Sequence, residues 1–232
     1  MSGVSRGLEL SKIIFIGRTF EEYIKMFDLT IEEIPRLKIL DAPAGACSFT
    51  AVANAKGGDV TAIDLAYFHP VDELYGKGQE DIQQAVSGLA KAKENFVWET
   101  FEDIASLESN RQRALEDCIA HMKISPDRYI PCVLPDLPFS DEQFDLTLSA
   151  HFLFMYADRL DFSFHLQVIK ELLRVTKKEV RIFPLVDLMS NRYENLDAIK
   201  EAVHELGWKT EERLARYEFQ RGANSFLRIY RD

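Results

Sequence analysis

Leu37-Lys-Ile-Leu-Asp-Ala-Pro-Ala-Gly-Ala-Cys-Ser-Phe-Thr50 is the stretch on which the reading of the fold turns. Lys38 to Ala42 is a short apolar run that ends in the carboxylate of Asp41. Four small residues follow (Pro43, Ala44, Gly45, Ala46), and after them Phe49, Val52 and Ala53 recur on one helical face. Strand, tight turn and helix are the first half of a βαβ unit. Val60-Thr-Ala-Ile63 reads as a second buried strand. Asp64 sits at its carboxyl end, about 20 residues beyond the turn, where an acid takes the two hydroxyls of a nucleotide ribose.

On these residues the chain resembles the class I S-adenosylmethionine-dependent methyltransferases. The first motif of that family reads acid–x–Gly–x–Gly–x–Gly. Asp41 and Gly45 fill its acid and middle glycine, and Pro43 and Cys47 replace the outer two. A pyrophosphate needs those glycines for close backbone approach. S-adenosylmethionine has no phosphate, so the substitutions count more against a dinucleotide site than against this one. Further on, Leu137-Pro-Phe139 and Phe144-Asp145 match the family's Leu-Pro-Phe, acidic turn and Phe-Asp ahead of the fourth strand, here Leu146–Ala150. The family's adenine-binding acid falls on Val133. Adenine would then rest on backbone near Val133 and Leu134, or on Asp136 reaching in.

The resemblance implies an α/β fold: a doubly wound, mostly parallel seven-stranded sheet with an antiparallel C-terminal hairpin and a helical insertion. The remaining strands read as Arg128–Val133, with Pro131 suited to an edge or strand end, and Val180–Val186, broken by Pro184. Lys209–Phe219 and Ser225–Tyr230 form the hairpin around Arg221-Gly-Ala-Asn224. Leu160, Phe164, Val168, Leu172 and Val175 share a helical face. Arg174-Val-Thr-Lys-Lys178 after it lacks the glycines the family has there. A helix over Leu196–Leu206 ends at Gly207, a C-terminal cap.

Residues 1–36 read as a helical lead-in, with Thr19 capping a helix that carries Phe20, Tyr23, Ile24 and Phe27. By the resemblance it is a lid over the cofactor, with Arg18 and Tyr23 facing the ligand. On the residues alone, Arg18 is a surface arginine and Tyr23 a core tyrosine. The Rossmann-like domain takes 37–232, with an insertion over approximately 79–124, roughly twice an ordinary crossover. It reads either as cover for the active-site mouth or a partner surface, or as a helical arm without a role in the site.

Carried over position by position, the resemblance gives Asp41, Ala42, Pro43, Ala44 and Gly45 to the methionine side of the cofactor. Asp64 goes to the ribose and Leu65 to one face of the adenine. Leu134, Asp136 and Ser149 complete the set. His151, just past the fourth strand, stands where a base is useful, and imidazole titrates near neutral pH. It reads equally as a histidine packed beside Phe152. Tyr156 and Asp187 would line the same mouth. The expected activity is in-line transfer of a methyl group from S-adenosylmethionine to a small-molecule acceptor. Ser149-Ala-His-Phe152 departs from the Asn/Asp-Pro-Pro-aromatic turn of enzymes that methylate adenine bases or glutamine side chains. Two other readings stand: a non-catalytic S-adenosylmethionine-binding protein, and a nicotinamide-dependent oxidoreductase. The latter needs Gly-x-Gly-x-x-Gly, and Gly45 stands alone.

With 232 residues, 47% of them hydrophobic, the chain is long enough for one good core. A net charge of −10 argues against a nucleic-acid or anionic-membrane footprint. Three widely spaced cysteines (Cys47, Cys118, Cys132) fit neither a disulfide framework nor a metal knuckle, which points to a reducing, cytoplasmic setting. The run Ile13–Ile16 is too short for a signal-peptide core or a membrane span. Gly-x-Ser-x-Gly, His-x-x-x-His and Cys-x-x-Cys are absent, so hydrolytic and metal-dependent chemistry finds no support.

Overall fold

Strand β1 (Lys38–Asp41) is the centre from which the sheet grows. In the computed structural model, which describes residues 14–231, it pairs in parallel with β2 (Asp59–Asp64) on one side and β4 (Phe144–Ala150) on the other. Beyond β2 lies β3 (Tyr129–Pro131), and beyond β4 lies β5 (Thr176–Phe183), both parallel. Two antiparallel strands, β7 (Ser225–Tyr230) and β6 (Lys209–Leu214), finish the sheet. The order is β3-β2-β1-β4-β5-β7-β6, the mostly parallel seven-stranded sheet with a reversed hairpin that the sequence implies.

Strand periodicity divides the core. Ile39, Val60 and Phe226 face one layer, while their neighbours Leu40, Leu227 and Ile229 face the other. On the first face lie α1 (Phe20–Met26), α2 (Phe49–Ala55) and the paired helices α3 (Val71–Lys91) and α4 (Ile104–Ile124). On the second lie α5 (Phe162–Val175) and α6 (Leu196–Glu205). Because both faces are covered, β4 is buried along nearly its whole length, its polar Thr147 and Ser149 included.

Local chemistry sets the element ends. Thr19 and Glu22 form a reciprocal capping box at the start of α1. Gly207, at φ +81°, closes α6, where Gly207 N–H donates to the His204 carbonyl and Trp208 N–H to that of Val203. Pro131 is the last residue of the edge strand β3.

Four expectations are adjusted. The fifth strand starts at Thr176, directly from α5, and stops at Phe183 before Pro184. No loop stands where the glycines are missing. Instead the Thr176 hydroxyl donates to the Leu172 carbonyl at 2.6 Å and meets that of Thr147 at 2.6 Å. The first hairpin strand ends at Leu214 rather than Phe219. Residues 215–224 leave the sheet because Phe219 stacks on Phe96 at 4.8 Å, and its carbonyl accepts from Val97 N–H at 2.7 Å. The helices of the crossover begin at Val71, ahead of 79. Of the 1–36 lead-in, residues 1–13 lie outside the described residues. The rest holds α1 and a short 3-10 turn, Ile34–Arg36, which contains Pro35.

Candidate functional site

Strand order reverses between β1 and β4, and open α/β sheets bind ligands at the carboxyl ends of the strands at such a switch point. A cavity of about 520 Å³ lies there, within the roughly 300–1,000 Å³ of small-molecule sites. Its wall includes Pro43, Ala44 and Gly45 past β1, Asp64 and Leu65 at the tip of β2, and His151 past β4. Apolar side chains of α3 and α4 close it, among them Val86, Leu89 and Leu107.

The turn after β1 is suspended from its neighbours. Ala42 N–H donates to the Leu148 carbonyl at 2.8 Å, and Ala44 N–H to that of Ile63 at 2.9 Å. Gly45 N–H donates to Asp64 Oδ2 at 2.9 Å, and the Tyr67 hydroxyl donates to the Gly45 carbonyl at 2.8 Å. Gly45 has φ +55°, in the region that favours glycine. Gly17 presses the lead-in onto this turn so closely that a Cβ there would lie 1.9 Å from the Ala46 carbonyl oxygen. Arg18 N–H then donates to Cys47 Sγ at 3.1 Å, and Ser48 N–H to the Arg18 carbonyl at 3.0 Å.

Asp64 is the focal carboxylate. Oδ1 accepts from Ala66 N–H at 2.8 Å and Oδ2 from Gly45 N–H, which leaves lone pairs on both oxygens for a ligand. Burial raises its pKa, and the two N–H bonds oppose that rise. Leu65 beside it is 61% exposed, an apolar side chain at the cavity mouth. Val133, 56% exposed, and the half-buried Leu134 stand on the same wall.

Other residues singled out in the sequence lie elsewhere. Asp41 is fully buried behind the turn and does not line the cavity. Its Oδ1 accepts from the Tyr23 hydroxyl at 3.0 Å, while Oδ2 is buried without a partner. Burial raises its pKa well above the usual carboxylate value, and the hydrogen bond from Tyr23 opposes that rise. Ala42 and Ser149 are buried outside the cavity wall, Asp136 is exposed outside it, and Tyr23 packs in the core against Phe49. The Asp187 carboxylate is spent on the backbone N–H groups of Met189 and Asn191, whereas Tyr156 does line the cavity.

His151 has a left-handed backbone, φ +53°, uncommon for a non-glycine residue. Its N–H donates to the Phe183 carbonyl at 2.7 Å, which ties it to the end of β5. Its ring Nδ1 is buried and unpartnered. Burial, followed by the charges of Arg18 and Arg111, holds its pKa well below the usual histidine value, so the imidazole is neutral at pH 7. The residue thus sets a left-handed backbone and an unpartnered ring nitrogen at the end of the strand, beside the cavity.

Arg111 was missed by sequence reasoning, although a signal existed. It stands midway between Leu107 and Leu115, on the stripe of α4 that is otherwise apolar and buried. A charge on that stripe requires a buried partner. Glu22 of α1 supplies it, and the Tyr217 hydroxyl donates to Glu22 Oε1 at 2.8 Å. Among the described residues no cluster of three or more His, Cys, Asp or Glu is arranged to hold a metal ion, and no helix is long and apolar enough to cross a membrane.

No family model matches the chain. It is 34% identical over 227 residues to the uncharacterized protein MJ0045 of Methanocaldococcus jannaschii, with 97% of this chain and 100% of the relative covered. Similar solved structures include magnesium protoporphyrin IX methyltransferase of Synechocystis PCC 6803, at 11% identity and a TM-score of 0.44, covering 91% of this chain and 83% of that one. A putative S-adenosylmethionine-dependent methyltransferase of Methanococcus maripaludis shows 14% identity and a TM-score of 0.43, with 91% and 86% covered. The 1,6-didemethyltoxoflavin-N1-methyltransferase of Burkholderia thailandensis shows 14% identity and a TM-score of 0.43, with 83% and 69% covered.

Proposed function

The chain belongs to the family of the M. jannaschii protein MJ0045 and has the Rossmann-like fold of class I methyltransferases, and from that premise we propose that it transfers a methyl group from S-adenosylmethionine to a small-molecule acceptor. One observation carries the reading: a glycine turn and a ribose-type carboxylate, Gly45 and Asp64, are hydrogen-bonded to each other at the mouth of a largely apolar cavity at the switch point. The residues present fit the cofactor. Asp64 keeps lone pairs free, Leu65 and Val133 offer apolar surface beside it, and the single-glycine turn does not need to admit a pyrophosphate.

When bound, S-adenosylmethionine supplies a methyl group on a positively charged sulfur, already activated for displacement. The protein's own work is alignment and exclusion of water. Alignment alone is worth several kcal/mol, up to about 7–11 at best. Asp64 accepts from the ribose hydroxyls, and the Gly45 turn and Leu65 hold the nucleoside. Asp41, buried and bonded to Tyr23, braces the turn from behind. His151 takes the acceptor's proton on its neutral ring nitrogen when the acceptor has one to lose. The three buried, unbridged cysteines support placement in the reducing cytoplasm.

The test is calorimetry with S-adenosylhomocysteine. The wild-type protein binds, and Asp64→Ala weakens binding about tenfold or more, as loss of a charge-assisted hydrogen bond requires. Unchanged affinity in that variant removes Asp64 from the site. Absence of binding by the wild type, together with a fluorescence response to NADH, replaces the methyltransferase reading with the nicotinamide one.

A further inference from the structure

The cavity holds a charge that the methyl-transfer reading does not use. Arg18 lines it with its Nε buried and unpartnered, and no carboxylate among the described residues forms an ion pair with it. The other charges near the wall are already balanced. Lys77 pairs with Asp81. Both oxygens of Glu22 are committed, to the guanidinium of Arg111, the backbone N–H of Thr19 and the hydroxyl of Tyr217. Asp64 is the carboxylate assigned to the ribose. The α3–α4 crossover and the chain after β6 add the apolar side chains of Val86, Leu89, Phe96, Leu107 and Phe219 to the same wall, with Lys77, Arg111 and Gln220 as their polar members.

An uncompensated guanidinium facing an apolar chamber is costly unless a ligand brings the opposite charge. Arginine stays protonated even where burial and the neighbouring Arg111 depress its pKa, as they do here. An amine acceptor would meet no free carboxylate in this part of the wall. An organic anion with an apolar body would satisfy both features, with its rings or chain against the hydrocarbon and its carboxylate or sulfonate forked by Arg18.

We propose that the chamber beneath α3 and α4 is the acceptor site and takes an apolar organic anion, with its charged end on Arg18. This rests on the methyltransferase reading only for the word acceptor, since the binding site is argued from the walls.

The probes are 8-anilino-1-naphthalenesulfonate and its uncharged analogue N-phenyl-1-naphthylamine, titrated by fluorescence alongside calorimetry with S-adenosylhomocysteine. The wild type binds both dyes saturably. Arg18→Gln weakens the sulfonate dye by about tenfold or more, leaves the neutral dye and S-adenosylhomocysteine within about twofold, and Arg18→Lys recovers part of the loss. Val86→Trp, which fills the chamber, weakens both dyes; Leu107→Phe takes its place if that variant does not fold. The proposal is overturned if the wild type binds neither dye saturably or if both chamber variants leave the dyes unaffected. It is equally overturned if Arg18→Gln spares the sulfonate dye, or weakens S-adenosylhomocysteine in its place, which would assign the guanidinium to the cofactor's own carboxylate. Wild-type protein that binds the dyes but not S-adenosylhomocysteine sinks the methyltransferase reading and leaves the anion site standing.

Discussion

Arg111 of α4 grips Glu22 of α1 through two parallel hydrogen bonds, Nη1 to Oε2 at 2.7 Å and Nη2 to Oε1 at 2.9 Å, with both side chains almost wholly buried. The bidentate pairing joins residues 89 positions apart in the chain.

That pair makes stability depend on acid. Burial alone would raise the pKa of Glu22, but the charge and hydrogen bonds of Arg111 prevail and hold it at about 2. An unfolded glutamate titrates near 4.3. The folded value is the lower one, so the contribution is complete above the unfolded pKa and is lost as pH falls from there toward 2. Its size is on the order of 3 kcal/mol. Urea unfolding at pH 7 and pH 3 registers the part lost by pH 3, roughly half of it. Glu22→Gln should lose roughly 3–5 kcal/mol at pH 7, because Arg111 is left without a counter-charge, and should show a shallower acid decline. An acid decline as steep as that of the wild type would assign the effect to other carboxylates.

His151 predicts the pH profile of turnover. Its pKa is depressed, so the basic form persists below the ordinary histidine range. The rate with a proton-losing acceptor should therefore stay flat from pH 8 down through about 6.5 and fall only at lower pH. Asparagine tolerates a positive φ, so His151→Asn should keep stability within about 1 kcal/mol while lowering the rate about 100-fold or more. A rate that halves near pH 6.5 in the wild type would show that the imidazole is not held neutral.

Gly17→Ala tests the docking of the lead-in. A Cβ 1.9 Å from the Ala46 carbonyl oxygen cannot be accommodated unless backbone moves. The substitution should lower the melting temperature by several degrees, as about 1–3 kcal/mol of overpacking implies. It should also weaken S-adenosylhomocysteine, because the displaced neighbour is the Gly45–Cys47 turn. A variant that melts lower yet binds normally would separate the lead-in from the site.

What the sequence reveals here is what its local chemistry decides. The Thr19 cap and the Gly207 stop each depend on neighbours a few residues away, and each occupies the expected place. The closure of the cavity depends on contacts across the fold. Phe219 alternates like a strand residue, yet it leaves the sheet for Phe96, a partner more than a hundred residues earlier. Asp41 has the spacing of a ligand-facing acid, but the strand end that carries it is covered by Tyr23 from α1. Arg111 shows in the sequence only as a charge on a buried stripe, and its meaning depends on Glu22.

The reversed direction of β7 has a practical corollary. Tyr230 pairs with Glu179 near the start of β5, and Arg231 N–H donates to the Lys178 carbonyl, so the polypeptide leaves the sheet at the rim opposite the cavity. An affinity handle, fluorophore or surface tether joined after Arg231 therefore projects away from the mouth and leaves ligand entry unobstructed.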